Sequence, residues 1–119
     1  AVYGQHVHVV QPITRVHGKI VAYGLGNLIA QHKTDVVRGY EGIVLTLRFE
    51  RRGTRYVVTR ATYRPTLITH YAPGRPARVR PVNDDLQAHR GSTSRLEAAR
   101  ARTRAAVSSL GRTKGVVEA

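Results

Sequence analysis

The chain has no cysteine, no tryptophan and no methionine, and only one phenylalanine. Without Cys there can be no disulfide, no thiolate metal cage and no Cys nucleophile. With no Met, and with Ala1-Val2-Tyr3 opening directly on an apolar run, the start reads as an entry into the middle of a fold. Ser occurs only at 92, 94, 108 and 109, which leaves no Ser/His/Asp constellation to argue. Long apolar runs are also lacking. A signal peptide needs about 7–15 apolar residues behind a basic start and a membrane helix about 20, and neither pattern occurs. Localisation therefore stays open between the cell envelope or extracellular face, if an anchor lies upstream, and the cytoplasm. At 119 residues one domain is expected.

Acidic residues are scarce as well: four Glu and three Asp stand against 20 Lys and Arg, a net +13. Such a charge points to an anionic partner. The surplus is uneven, +2 over residues 1–47 and +11 over 48–119. Seventeen of the basic residues are Arg, whose planar guanidinium suits bidentate contacts to phosphate or carboxylate, although an Arg-rich solvated surface accounts for the same composition.

Along the chain, residues 9–16, broken by Pro12, and 19–23 read as two strands joined by a His17-Gly18 turn. Gly24-Leu25-Gly26-Asn27 reads as a sharp strand exit. Residues 31–40 are polar and predict a loop. Period-two alternation of Ile43, Leu45, Leu47 and Phe49 marks the clearest strand, over 42–50, and the turn at 51–54 returns the chain through 56–63. A short further strand is expected over 66–71. Pro73, Gly74, Pro76 and Pro81 punctuate a basic segment that should run over the surface. Ser92-Thr93-Ser94 caps a helix over 95–110 that Gly111 stops, with Leu96, Ala99, Val107 and Leu110 as its thin apolar stripe. The last residues read as a frayed tail. The expected division is 1–72 as the main body, 73–91 as a basic Pro/Arg-rich surface segment, 92–111 as the C-terminal helix and 112–119 as a tail.

Among possible chemistry-bearing residues, His6 and His8 are one residue apart. On an extended strand end both imidazoles project to one side and can reach a single metal ion or two adjacent ones. His17, His32, His70 and His89 show no ligand spacing and read as ordinary histidines. Asp84-Asp85 reads as local charge balance or a helix start rather than a cation site. Gly24-x-Gly26 is too short for a phosphate-binding loop.

The segment from Tyr3-Gly4-Gln5-His6-Val7-His8-Val9-Val10-Gln11-Pro12-Ile13 to Gly18-Lys19-Ile20-Val21-Ala22-Tyr23-Gly24-Leu25-Gly26-Asn27 closely resembles the capsule synthesis protein CapA family. There, a G-x-H-P-H-V-x-Q-P-I stretch precedes a G-K-x-I-x-Y-S-L-G-N-F hairpin. The resemblance covers roughly residues 1–50 and fades over the Arg/Pro segment. It implies an α/β fold, the C-terminal part of a metallophosphatase-like αββα sandwich, here mostly β-hairpins plus one C-terminal helix. It implies that His6 and His8 are metal ligands of a two-metal centre holding divalent Mn, Fe or Zn, that Asn27 shapes the floor of the catalytic site, and that Gly4, Gly24 and Gly26 permit the surrounding backbone turns. The chain departs from the family at Val7, Gly24 and Leu28, where Pro, Ser and Phe are usual. In the family the carboxylate ligands lie on earlier strands, so the chain alone is expected to lack them and to be catalytically silent.

Three readings follow. In the first, the chain is a fragment of a capsule or poly-γ-glutamate biosynthesis protein with a phosphoesterase-like site; its partners are an anionic polymer such as poly-γ-glutamate, or a phosphorylated substrate, and the missing N-terminal half of the same fold. In the second, it is a basic module that binds a polyanion or nucleic acid through Arg48, Arg51, Arg52, Arg55, Arg75, Arg78 and Arg80. Nucleic acid is disfavoured because Tyr56 and Tyr63 are expected to serve the hairpin rather than interleave with the arginines. In the third, it is an inactive remnant.

Overall fold

The computed structural model describes residues 1–30 and 36–119. His32 and half of the loop expected over 31–40 lie outside these residues. His17 and Gly18 both take positive φ, 48° and 76°, as the two central residues of a tight hairpin require. They join β2 (Ile13–Val16) to β3 (Lys19–Ala22), with Arg15 opposite Ile20. β1 (Val2–Tyr3) lies parallel to β3 on its other side, so the first sheet runs β1-β3-β2. β2 begins at Ile13, immediately after Pro12, whose carbonyl accepts from the Tyr23 N–H but which has no N–H to return.

A 3-10 turn at Val37–Tyr40 leads into β4 (Glu41–Arg52), which pairs along its whole length with β5 (Arg55–Ile68). The two expected strands over 56–63 and 66–71 are therefore one. Pro65 does not break it, for a geometric reason. Its partner across the ladder is Ile43, and the Ile43 N–H is spent on Leu25 O at 2.8 Å. Ile43 and Pro65 thus form a non-hydrogen-bonded pair, and the donor that proline lacks is not needed on that side. The expected surface segment also contributes structure. β6 (Val79–Pro81) adds antiparallel to β5, and α1 (Val82–Gln87) follows with Val82 and Asp85 buried. Pro81 before an acidic first turn was the sequence signal for that helix.

α2 (Thr93–Val107) begins at Ser92, whose Oγ accepts the Arg95 N–H at 3.4 Å. It buries Leu96, Ala99, Thr103 and Val107, while Leu110 lies beyond its end and is 61% exposed. The chain then turns at Gly115 (φ 81°), and β7 (Val116–Glu118) runs parallel to β5 beside Ala61–Tyr63. The expected tail is thus a strand. The described residues form an α/β structure of two mixed sheets and two helices, one of them C-terminal, where one helix was expected. No helix among them is long and apolar enough to cross a membrane.

One core cluster joins the sheets: Ile13, Ile20 and Ala22 pack with Ile43, Ala61 and Tyr63, and Val107 of α2 closes it. A second joins Tyr40, Leu67 and Ile68 to Val82, Leu96 and Ala99. Each large apolar side chain buried this way contributes about 1.5–3 kcal/mol before chain entropy is counted. The polar face of α2 is tied down by carboxylates on other elements. Arg102 reaches buried Glu41 at the start of β4 at 2.8 Å, and Arg100 (2.7 Å) and Arg104 both reach Glu118 of β7. Asn83 (3.0 Å) and the Tyr63 hydroxyl (3.3 Å) donate to the same carboxylate. Burial alone would raise the Glu118 pKa, but the hydrogen bonds from Arg104, Arg100 and Asn83 overcome it and hold it at about 2.

A carboxylate held below its ordinary value near 4.5 stabilises the fold above that pH, and this contribution is lost as pH falls towards about 2. Allowing for its partly solvated arginine partners, Glu118→Gln should lower the unfolding free energy by on the order of 2 kcal/mol at pH 7. Urea denaturation should show that difference shrinking between about pH 4.5 and pH 2. A loss equal at pH 7 and pH 2.5 would mean that charge is not its source.

Candidate metal centre

The loop carrying His6 and His8 is pinned at both ends by backbone bonds to the end of the first hairpin. Gly4 N–H donates to Ala22 O (2.7 Å), Gln11 N–H to Gly24 O (3.0 Å) and Tyr23 N–H to Pro12 O (3.0 Å), while Val10 bridges Leu25. Between these pins the chain is not extended. His6 and His8 have φ of 84° and 54°, so the strand-end geometry expected for the pair is replaced by a bent loop. Positive φ in a non-glycine residue costs on the order of 1–3 kcal/mol and persists where surrounding contacts over-determine it. Both side chains are exposed, and their ring centroids are 6.3 Å apart with the planes tilted by 49°.

Asn27 supplies one of those contacts. It is 5% exposed. Its side-chain Nδ2 donates to Gly39 O at 2.7 Å, and its Oδ1 lies 2.7 Å from His8 Nδ1. A backbone carbonyl only accepts, so the amide nitrogen must face Gly39 and the oxygen must face His8. An amide oxygen also only accepts, so His8 Nδ1 carries the proton, and in the neutral ring the lone pair sits on Nε2. An imidazole whose Nδ1–H is held by an oxygen is oriented in the way found around metal-ligating histidines.

The turn that delivers Asn27 needs its glycines. Gly26 has φ 71°, and a Cβ there would lie 2.5 Å from Glu41 O. At Gly24 a Cβ would lie 2.6 Å from Val7 Cγ2 and 3.0 Å from Val9 O. Val7 and Gly24 are two of the positions at which the chain departs from the pattern it resembles, and here the two residues touch. The larger residue at 7 occupies the space that a side chain at 24 would need.

Two imidazoles fit part of a metal site. Metal–nitrogen bonds run about 2.0–2.1 Å and paired ions sit about 3.5–4 Å apart, so ring centroids 6.3 Å apart are within reach of two adjacent ions, whereas one tetrahedral ion would draw them to roughly 5 Å. Among the described residues no group of three or more His, Asp or Glu is placed to hold a metal. His17 sits in its hairpin turn, and the His70 ring packs against Tyr40 with centroids 4.3 Å apart and planes tilted by 47°. Asp84 and Asp85 occupy the first turn of α1, where Asp85 bonds Arg80 (2.6 Å) and Arg90 (3.0 Å) and Asp84 lies 3.7 Å from Arg64. The hydrogen bond from Arg80 is the main cause that keeps the Asp85 carboxyl below its usual value. The pair is a helix start and a charge balance. Sequence reasoning missed Gly39, whose carbonyl fixes the Asn27 amide and for which no motif gave a signal.

A model of the bacterial capsule synthesis protein family PGA_cap matches residues 1–32. That stretch holds His6, His8, Gly24, Gly26 and Asn27 and leaves the remainder of the 119 residues outside the match. No curated protein matches the chain, and no solved structure does.

The Val7–Gly24 contact is testable. Gly24→Ser should destabilise the chain by about 1–3 kcal/mol, the range for overpacking. Val7→Ala in the same chain should recover part of that loss, giving a coupling energy of at least about 0.5 kcal/mol in a double-mutant cycle. Additive effects would show that the two positions do not share one space.

Proposed function

We propose that this chain is part of a capsule-synthesis-type protein and that its His6–His8 loop supplies two nitrogen ligands to a metal-dependent, phosphoesterase-like centre. The observation that carries the reading is the Gly39–Asn27–His8 relay, which fixes the His8 ring by its Nδ1, inside the stretch similar to the capsule synthesis family. Residues 1–72 are read as the C-terminal half of a metallophosphatase-like αββα sandwich. Val2, Tyr3, Leu28 and Ile29 are each more than half exposed, and they are apolar surface that the N-terminal half of such a fold would cover.

A divalent ion, Mn, Fe or Zn, supplies Lewis acidity towards a phosphoryl oxygen when bound. This chain's contribution is to place neutral imidazole donors without adding charge. His6 and His8 serve as ligands, and Asn27 is a positioning residue that holds the His8 ring and its tautomer. The carboxylates that such a centre needs are assigned to the N-terminal half. The substrate class is a phosphorylated compound or an anionic polymer such as poly-γ-glutamate, to which a chain of net charge +13 is electrostatically suited. The alternative of a basic binding module rests on other residues.

Calorimetric titration of the purified chain with Zn²⁺ tests the ligand assignment. Weak binding is expected, lost in His6→Ala/His8→Ala and weakened about 10–100-fold in Asn27→Ala, the usual effect of removing a group that orients a ligand. Phosphatase activity of the chain alone should stay at background with Mn²⁺ or Zn²⁺. Unchanged Zn²⁺ affinity in the double variant would exclude these histidines, and metal-dependent turnover by the 119-residue chain would show that its site is not partial.

A further inference from the structure

The far end of the β4–β5 hairpin does nothing for the core. Every residue from Arg48 to Tyr56 is exposed, and within 48–60 five arginines (Arg48, Arg51, Arg52, Arg55, Arg60) face one acid, Glu50, a net +4 over thirteen residues. Arg48 lies 3.7 Å from Glu50. Among the described residues, Arg51, Arg52, Arg55 and Arg60 have no carboxylate within ion-pair distance. Of the two tyrosines expected to serve the hairpin, Tyr63 is buried in the core, whereas Tyr56 is 70% exposed and Phe49, the chain's single phenylalanine, is 51% exposed.

The register gives these rings an order. Arg51 pairs with Tyr56 and Phe49 with Val58. Strand alternation puts Phe49 and Arg51 on one face, and Tyr56 stands directly opposite Arg51 on that same face. A cation is therefore flanked by two exposed rings, with Arg52 and Arg55 paired at the tip. We propose that this arm binds single-stranded nucleic acid, its arginines tracking the phosphates while Phe49 and Tyr56 stack on bases.

Two other occupants fit less well. A membrane-inserting hairpin carries its apolar residues at the tip, and here the tip is Arg52-Gly53-Thr54-Arg55, with the rings set back along one face. A polycarboxylate answers the charge but has no use for the rings. The arm shares no residue with the His6–His8–Asn27 site, so its test stands apart from that of the metal reading.

Fluorescence anisotropy of the full chain with labelled dT20, an abasic 20-mer and duplex DNA provides the test. The chain should retain dT20 at 150 mM salt, with log affinity falling against log salt at a slope of about −3, as expected when about four phosphates are neutralised on a single strand. Phe49→Ala/Tyr56→Ala should weaken dT20 binding about tenfold or more and leave the abasic strand unchanged, because only the bases offer rings to stack on. Arg52→Glu/Arg55→Glu should abolish binding to both strands. All four positions are exposed, and an unchanged circular dichroism spectrum confirms that each variant folds. The proposal is overturned if dT20 is not retained at 150 mM salt, or if the ring variant binds dT20 like the parent. It is also overturned if the abasic strand, duplex DNA, poly-γ-glutamate or phosphatidylglycerol vesicles are held as tightly as dT20; equal retention of poly-γ-glutamate would instead favour the polymer named above.

Discussion

The two sheets meet where Gly24-Leu25-Gly26-Asn27 runs against the first residues of β4, and much else is set by how close that approach is. Ile43 N–H donates to Leu25 O, Asn27 N–H to Glu41 O, and Gly26 bridges Gly42. No side chain fits between the backbones there. Because Leu25 takes the Ile43 donor, β4 leaves its opposite residue unbonded at that step, and Pro65 can sit inside β5. Asn27 is carried to a buried position under the histidine loop by the same approach, so core and candidate site share one constraint.

A second constraint is the placement of the few acids. Among the described residues, Glu41, Asp85 and Glu118 are the carboxylates that arginines reach at close range: Glu41 ties β4 to α2 across 61 residues and Glu118 ties β7 to α2, whereas Asp85 braces the chain locally, between Arg80 of β6 and Arg90 just after α1. Such pairs do more to fix which elements dock, and in what register, than to add net stability, since removing charge from water offsets much of the attraction. With the acids engaged there, most of the arginine surplus stays on the surface and gives the hairpin arm its uncompensated charge.

Both hairpins were legible in the sequence because a two-residue turn and period-two alternation are local signals, as was α2 with its Ser92 cap. α1 showed only as the alternative of a helix start at Asp84-Asp85, and β7 not at all, for different reasons. Val82–Gln87 is too short for its periodicity to show. The strand Val116–Glu118 exists through Glu118, whose partners Arg100 and Arg104 lie one helical turn apart on α2, a match visible only once the helix and the strand are docked. At the site, the motif marked His6, His8 and Asn27, and the structure joins His8 to Asn27 while placing both histidines on a bent loop. That bend depends on pinning by a segment some fifteen to twenty residues away, which single-residue preferences do not encode.

The centre of the account is that Asn27 fixes the His8 ring with its proton on Nδ1. Long-range ¹H–¹⁵N correlation spectra of the imidazole nitrogens read this directly in the metal-free chain at alkaline pH. The account requires His8 in the Nδ1–H form, with a population well above that of free imidazole and reverting to the free distribution in Asn27→Ala. An Nε2–H form in the parent chain, or a distribution unmoved by the substitution, would contradict it.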